Sequence, residues 1–154
     1  MNQTSIDLFN ILRKKDKNIC AAISNEAKEA IQYMDHLFSP VNTIVKNFSD
    51  MASKKISFNS HSEKKIYTYK FSQIVQAQEL QIKQIDFLNI DAEAHDFEVL
   101  EGIDLSTYSV KLICVEMLDS QNKINEKKFK EYLNQHNYNL IKIIGPNGFF
   151  ELRS

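Results

Sequence analysis

The segment FLNIDAEAHDFEVLEGID (87–104) begins with an apolar run. Directly after this run, two carboxylates and an imidazole occupy every second position: Asp91, Glu93 and His95. An imidazole titrates near neutral pH and can accept a proton from a reacting group, whereas Asp91 needs desolvation to be more than a hydrogen-bond acceptor. We weigh three interpretations of these side chains: a catalytic site, a metal site, and a simple junction between a strand and a helix.

The metal site is the least favoured interpretation. Three candidates that cross from a strand into a helix need not converge, and no second cluster in the sequence completes a coordination shell. We therefore predict no metal ligands. In the junction interpretation, Asp91 caps the following helix or accepts backbone N–H groups, and His95 is hydrogen-bonded in the first turn. The residues alone support this interpretation and a functional role equally.

The elements around these residues have clear patterns. IDFLNID (85–91) is a continuous apolar run ending in an acid, typical of a central parallel strand buried on both faces. A helix that stops near Gly102 follows, and the strand and helix patterns repeat in KLICVEML (111–118) and INEKKFKEYLNQHN (124–137). YNLIKIIGPNGFFELRS (138–154) predicts an antiparallel hairpin around its GPNG turn.

The first half of the chain is less regular. TSIDLFNILRKKD (4–16) predicts a helix, and NICAAIS (18–24) predicts a short buried strand. NEAKEAIQYM (25–34) is compatible with a helix or with a turn followed by a strand. The segment 39–65 lacks a sustained period and predicts a long irregular excursion. KIYTYKFSQIVQAQEL (65–80) predicts a strand and then a short helix.

Repeated strand and helix units predict an α/β fold. We expect a mostly parallel sheet with helices on both faces, finished by a C-terminal antiparallel hairpin. A chain of 154 residues fits a single domain spanning 1–154. Ligands of such sheets bind beyond the carboxyl ends of the strands, where Asp91, Glu93 and His95 follow one strand and Glu116 ends another.

Composition restricts the partners. A formal net charge of -1 provides no basic surface for a phosphate backbone, so we expect no nucleic-acid partner. No apolar run reaches membrane-spanning length and the N-terminus is unlike a signal peptide, so we expect a soluble, cytoplasmic protein without membrane contact.

Cys20 and Cys114 lie in apolar runs typical of buried, reduced thiols. None of the three glycines is in the first hundred residues, where a glycine-rich nucleotide-binding turn would be expected.

The run IDFLNIDAEAHDFEVLEGIDLSTYSVKLICVEML (85–118) resembles the C-terminal part of the FkbM family of S-adenosylmethionine-dependent methyltransferases. Members of that family carry a strand ending in Asp-x-Glu-Gly-His, a helix of the Glu-x-x-x-Leu type and a strand of the Cys-Val-Glu type. Upstream, 18–34 resembles the family's third strand with the segment after it, and 66–75 resembles the strand and short helix before the motif. The resemblance implies a Rossmann-like methyltransferase sheet that uses S-adenosylmethionine as its cofactor.

The resemblance also implies roles for individual residues. By this resemblance, Asp91 faces the cofactor, and Glu93 and His95 line the acceptor side. These three residues together form the catalytic group. Ser24 and Asn25, after the third-strand candidate, lie near the adenine in the family arrangement. For Ser24 and Asn25 a turn or a helix cap is the alternative.

The sequence departs from the family pattern in two places. Ala94 stands where the family has glycine, and its methyl group disfavours a positive φ, which tightens or shifts the turn. The family's first two strands, with the glycine-rich loop that holds most of the cofactor, would precede Ser5 and are absent from the sequence.

The sequence therefore predicts an S-adenosylmethionine-dependent methyltransferase that acts on an oxygen of a sugar, glycan or small metabolite. The predicted domain is truncated, and whether it is active alone is left open by the sequence. The alternative is a non-catalytic remnant or interaction domain that binds no cofactor. Absent strands would leave an open sheet edge, so we expect self-association or complementation by a separately made N-terminal half.

Overall fold

The computed structural model describes residues 2–36, 39, 42–55 and 62–153. None of the described helices is long and apolar enough to span a membrane. In chain order the elements are α1 (Gln3–Leu12), β1 (Ala22–Ile23), β2 (Glu29–Met34), α2 (Lys46–Lys55), β3 (Ser62–Tyr69), α3 (Phe71–Ala77), β4 (Gln84–Ile90), α4 (Asp96–Glu101), β5 (Ser109–Glu116), α5 (Glu126–Gln135), β6 (Tyr138–Ile144) and β7 (Asn147–Leu152).

The strands form two sheets, with the orders β1-β3-β2 and β4-β5-β7-β6. β1 pairs with β3 and β4 pairs with β5 in parallel, whereas the β2–β3, β5–β7 and β6–β7 pairs are antiparallel. The mixed α/β class and the C-terminal hairpin are confirmed. The prediction of a mostly parallel sheet is wrong for the part of the chain that the structure describes, because β2 pairs antiparallel with β3, and β7 pairs antiparallel with both β5 and β6.

The ambiguous segment 25–34 contains strand β2. Its pairing with β3 runs from Glu29 opposite Tyr67 to Met34 opposite Ser62. Cross-strand hydrogen bonds and side-chain packing outweigh the helical propensity of the Ala and Glu residues in this segment, because propensity is worth only a few tenths of a kcal/mol, roughly, per residue.

The segment 39–65 is not wholly irregular, because α2 occupies Lys46–Lys55 within it. Phe48 is buried and Met51, three residues later, is half-buried, so the helix packs through one side. Two apolar residues among many Ser, Asn and Lys residues form too weak a period to identify from sequence. Residues 40, 41 and 56–61 of the predicted excursion lie outside the described residues.

The core is built around β5. Val110, Ile113 and Val115 are fully buried and belong to one apolar cluster with Leu100 of α4 and Leu133 of α5. Each fully buried aliphatic side chain of this kind stabilises the fold by about 1.5–3 kcal/mol. The cluster therefore anchors β4, β5 and α4, the three elements whose ends carry the acidic residues and the histidine.

The two cysteines differ in burial. Cys114 on β5 is buried and Cys20 is half-buried, and both thiols are free. The predicted buried thiol is therefore confirmed for Cys114 alone.

Within the described residues, the edge strand β4 and helix α1 both expose large apolar side chains. β4 is the end strand of its sheet, so its outer edge pairs with no other strand among the described residues, and Phe87 on β4 is 53% exposed. α1 contains no buried residue, and its Ile11 and Leu12 are exposed. Both are surfaces on which another chain could pack.

Candidate active site

Carboxylates from two neighbouring strands meet at one edge of the larger sheet. Asp91 directly follows β4, and Glu116 is the last residue of β5. Because β4 and β5 are parallel, their carboxyl ends lie side by side. One carboxylate oxygen each from Asp91, Asp96 and Glu116 lies within 4.8 Å of the other two. We call these three residues the carboxylate cluster; Asp91 is exposed, Asp96 buried and Glu116 half-buried.

The turn between β4 and α4 places two consecutive residues in the left-handed region. Glu93 has a φ of 53° and Ala94 a φ of 70°. This conformation costs a non-glycine residue roughly 1–2 kcal/mol. The Thr43 hydroxyl donates a hydrogen bond to the Glu93 carbonyl at 2.8 Å, and the Ala92 N–H donates to Asp96 Oδ1 at 2.7 Å. These bonds hold the turn, so Ala94 adopts the positive φ directly where the resembled family has glycine.

Burial and mutual repulsion raise the pKa values of these acids. Burial first, and then the negative charges of the carboxylate cluster, raise the pKa of Glu93 to about 7. Burial raises the pKa of Asp96 to about 7 against the opposing Ala92 hydrogen bond, with smaller contributions from its two cluster partners. Burial and the Asp91 charge also raise the pKa of Glu116. Full ionisation of the cluster is unfavourable unless a cation or a proton accompanies it.

Two carboxylate oxygens in the cluster are unsatisfied. Asp96 Oδ2 and Glu116 Oε2 are buried and have no hydrogen-bond partner among the described residues. The Asp96 side chain has no exposed surface. A buried acceptor without a partner costs about 1–3 kcal/mol, more if charged, so these two oxygens require a proton or a cation.

His95 links α4 to the end of β1. Its Nε2 lies 3.0 Å from the Ser24 hydroxyl oxygen, and its Nδ1 lies 3.6 Å from Glu98 Oε2. Burial lowers the pKa of His95, the charge of Glu98 raises it, and the charge of Lys28 lowers it. The His95 ring is therefore held between a hydroxyl partner on one nitrogen and a carboxylate on the other.

Ser24 and Asn25 both form side-chain hydrogen bonds with α4 or the residue that precedes it, Ser24 with His95 and Asn25 with Glu101. Ser24 is 2% exposed, and the Asn25 amide donates to Glu101 Oε2 at 2.9 Å. A Cβ added at Gly102 would stand 2.6 Å from the Ser24 carbonyl carbon, so only glycine permits this approach. Gly102 follows the last residue of α4 as predicted, but with a φ of −71°, so close packing explains its presence better than a left-handed cap does.

Two cavities meet at His95. The first, which we call the α5-side cavity, has a volume of about 300 Å³ and is lined by residues that include His95, Phe97, Glu98, Asp119, Asn125 and Lys128. The second, the β1-side cavity, has a volume of about 270 Å³ and is lined by residues that include Ala22, Ile23, Gln32, Thr43, Asp91 and His95. His95 lines both and therefore forms part of the wall between them.

Gln32 on β2 gives the β1-side cavity a polar group in need of a partner. Its side chain is 2% exposed, and its Oε1 has no hydrogen-bond partner within the ranges that the structure describes. Gln32 lines the same cavity as Asp91. A ligand that donates a hydrogen bond there would satisfy the Gln32 oxygen.

The predicted site residues do not all occupy equivalent positions. Asp91 and His95 line the β1-side cavity, whereas Glu93, Ser24 and Asn25 line neither of the two cavities. The roles assigned to these five residues stay predictions.

Asp96 is not among the site residues that the sequence predicts. Acidic residues are common in the first turn of a helix, where they interact with the helix dipole, so Asp96 resembled an ordinary capping residue. Glu116 was recognised only as an acid at a strand end, and its proximity to Asp91 depends on the pairing of β4 with β5.

The fold and the site together define an α/β protein with acidic and histidine side chains at the carboxyl ends of parallel strands, where such sheets bind ligands. The family model described as the methyltransferase FkbM domain matches residues 3–140 of the chain. The chain therefore belongs to the FkbM methyltransferase family, as the motif at 85–118 predicted. Searches of curated proteins and of solved structures give no match. Membership of this family supports methyltransferase activity.

Proposed function

We propose that this protein uses S-adenosylmethionine to methylate an oxygen of a hydroxylated acceptor, such as a sugar, a glycan or a small metabolite. The observation that carries this proposal is the position of His95 in the wall shared by two cavities. Transfer of a group between two bound molecules requires adjoining sites, and a proton acceptor between them accelerates it. Family membership supports the reaction class.

The β1-side cavity suits the cofactor. Its Asp91 carboxylate can accept hydrogen bonds from a hydroxyl or ammonium group, and Gln32 Oε1 can accept one from an amino group. S-adenosylmethionine carries all three kinds of donor and supplies a methyl group on a sulfonium, which an oxygen nucleophile can displace. Ser24 and Asn25 act behind this cavity, because Ser24 is buried against His95.

The α5-side cavity suits the acceptor. Glu98, Asp119, Asn125 and Lys128 surround it with groups that donate and accept hydrogen bonds. The Lys128 ammonium also lies 3.6 Å from the centre of the Phe97 ring. Such polar groups suit a polyhydroxylated molecule, since its hydroxyls need hydrogen-bond partners.

His95 is the group that accepts the proton of the acceptor hydroxyl. The Ser24 hydroxyl donates to Asn25 Oδ1 at 3.2 Å, so it accepts the Nε2–H of a neutral His95 ring. We assign this tautomer from the hydrogen-bond network. It leaves the lone pair on Nδ1, which faces the Glu98 carboxylate in the α5-side cavity. A proton taken up at Nδ1 would be stabilised there by Glu98.

Glu93 and Asp91 flank this step. The left-handed backbone of Glu93 turns the chain between Asp91 and His95, so that the two side chains can line the β1-side cavity together. We assign Asp91 to cofactor binding and to the catalytic group, and Glu93 to setting the turn that positions them.

Cofactor binding is tested by isothermal titration calorimetry with S-adenosylhomocysteine. We expect a dissociation constant in the micromolar range, on the order of 1–100 μM, for the unmodified chain. Asp91→Asn and Gln32→Leu should each weaken binding by about tenfold, the worth of one charged or buried hydrogen bond. Asp86→Asn, which alters an exposed acid of β4 paired with Lys111 of β5, is the matched control and should bind like the unmodified chain. Absence of heat for the unmodified chain at high protein concentration would exclude cofactor binding by this chain alone.

A second candidate function is a non-catalytic interaction domain. It is favoured by the outer edge of β4, which pairs with no other described strand, and by the exposed Phe87 on it; a strand of a second copy could add to this edge. Sedimentation velocity should then show concentration-dependent dimers that Phe87→Lys abolishes. A monomer at all concentrations would exclude self-association through this edge.

A further inference from the structure

We propose that Asp91, Asp96 and Glu116 form a binding site for a hard divalent cation. The sequence disfavoured a metal site made by Asp91, Glu93 and His95, because those three residues need not converge. In the folded chain Asp91 instead meets Asp96 and Glu116, and one carboxylate oxygen from each of these three lies within 4.8 Å of the other two. Carboxylate oxygens are the ligands that Ca²⁺, Mg²⁺ and Mn²⁺ prefer in proteins.

The state of Asp96 points to a ligand independently of the spacing. The Asp96 side chain is completely buried, and its Oδ1 accepts the Ala92 N–H, so the orientation of the carboxylate is set by the backbone. The other oxygen, Oδ2, has no hydrogen-bond partner among the described residues, and Glu116 Oε2 is in the same condition. Burying two unsatisfied oxygens beside a third carboxylate is costly, and a dication between them would remove both penalties.

The spacing is compatible with a single ion. All three oxygen–oxygen distances lie within 4.8 Å, so one Ca²⁺, Mg²⁺ or Mn²⁺ ion can contact all three carboxylates. Asp91 is exposed, which leaves a path for the ion to enter and room for water ligands.

This inference does not depend on methyl transfer, because ion binding is a property of the chain alone. Asp91 lines the β1-side cavity, so a bound ion would lie at its border. Three carboxylates and one dication retain a net charge of −1, so the ion relieves repulsion in the cluster and still leaves the site acidic.

The experiment is a titration of the metal-free 154-residue chain with Mn²⁺, followed by the loss of the electron paramagnetic resonance signal of the free ion. We expect one ion per chain with a dissociation constant on the order of 0.1–1 mM or tighter, and displacement by Ca²⁺. Asp96→Asn and Glu116→Gln should each weaken binding by at least about tenfold, since each removes one charged ligand. Asp86→Asn and Glu131→Gln, both on exposed acids outside the cluster, are matched controls and should bind like the unmodified chain.

Two results would overturn the proposal: no stoichiometric binding up to about 10 mM Mn²⁺, or equal binding by the Asp96→Asn, Glu116→Gln double variant, which would indicate scattered surface acids. If the buried variants fail to fold, Asp91→Asn tests the same site, because its side chain is exposed. Paramagnetic broadening of amide signals supplies an independent measurement: signals of 91–96 and 116–117 should broaden first, and broadening centred elsewhere would contradict the site.

Discussion

The Nε2 atom of His95 lies 3.0 Å from the Ser24 hydroxyl, joining two residues that are 71 positions apart in the chain. Ser24 directly follows β1 and His95 directly precedes α4, so this bond connects the smaller sheet with the turn that carries the acids. Both side chains are largely shielded from solvent, with Ser24 2% exposed.

Ser24→Ala should therefore destabilise the protein. It leaves the His95 ring nitrogen without its partner, which costs about 1–3 kcal/mol of unfolding free energy. Urea unfolding followed by circular dichroism measures this change. Ser72→Ala, on the exposed surface of α3, is the matched control and should change the unfolding free energy by less than about 0.5 kcal/mol. Equal stability of both variants would show that the Ser24–His95 bond contributes nothing.

The substitution His95→Gln distinguishes the role of His95 as a base from its role as the hydrogen-bond partner of Ser24. A glutamine amide can still donate to the Ser24 hydroxyl, but it cannot take up a proton as the imidazole does. Turnover should fall by about 10²–10⁴-fold, the usual contribution of a general base, while affinity for S-adenosylhomocysteine changes little. Turnover is measured as S-adenosylhomocysteine formed with a panel of hydroxylated acceptors that includes a productive one. Glu98→Gln should lower turnover less, since Glu98 only stabilises the protonated ring. Unchanged turnover in His95→Gln would assign proton removal to another group or to water.

Gly102→Ala should be more damaging than Gly145→Ala. The added methyl group at Gly102 meets the Ser24 backbone, which cannot rotate away, and such overpacking costs about 1–3 kcal/mol or more. Gly145, in the β6–β7 turn, has a φ of 58° but no atom within 4 Å of the position of an added Cβ. Its substitution costs only the backbone strain, roughly 1 kcal/mol. Thermal unfolding of the two variants makes the comparison, and a smaller loss for Gly102→Ala would contradict the close approach.

Asp104 should make stability depend on pH in the acid range. Hydrogen bonds from the Ser106 and Thr107 side chains lower the pKa of Asp104 from its usual 3.8 to about 2. Because the folded pKa is depressed, this stabilisation is fully present above about pH 4 and is lost as the pH falls through about 2. Asp104 is exposed, so we expect about 1 kcal/mol, less than the full shift implies.

The measurement is urea unfolding of the unmodified chain and of Asp104→Asn between pH 7 and pH 2. The difference in unfolding free energy should shrink as the pH falls through that window. Thr107→Val, which removes one of the donors, should show part of the effect. A difference that stays constant with pH would show that the carboxylate charge is not involved.

Local sequence patterns predicted the elements that build the site. The apolar runs of β4 and β5 and the spacing of Phe97 and Leu100 on α4 identify buried surfaces, because burial imposes a characteristic period on each kind of element. Because the apolar run of β4 ends just before Asp91, the sequence also places Asp91 and His95 after the end of that strand. The FkbM resemblance at 85–118 is confirmed by the family match over residues 3–140.

Other features were hidden because they depend on pairing between distant segments. β2 was ambiguous until its partner β3 was known, and β7 lies between β5 and β6 although it follows both in the chain. Ala94 was expected to avoid a positive φ, yet hydrogen bonds to neighbouring residues of the turn hold it at 70°.

By itself, the sequence determined the mixed α/β class and the acidic strand-to-helix junction, since short-range patterns of apolar and polar residues encode both. The motif at 85–118 indicated the family by its resemblance to FkbM sequences. Only the tertiary structure decided which acids converge. Asp96 and Glu116 join Asp91 because β5 pairs with β4 in parallel and because a left-handed turn reverses the chain before α4. Those positions arise from long-range packing, which no local pattern of residues records.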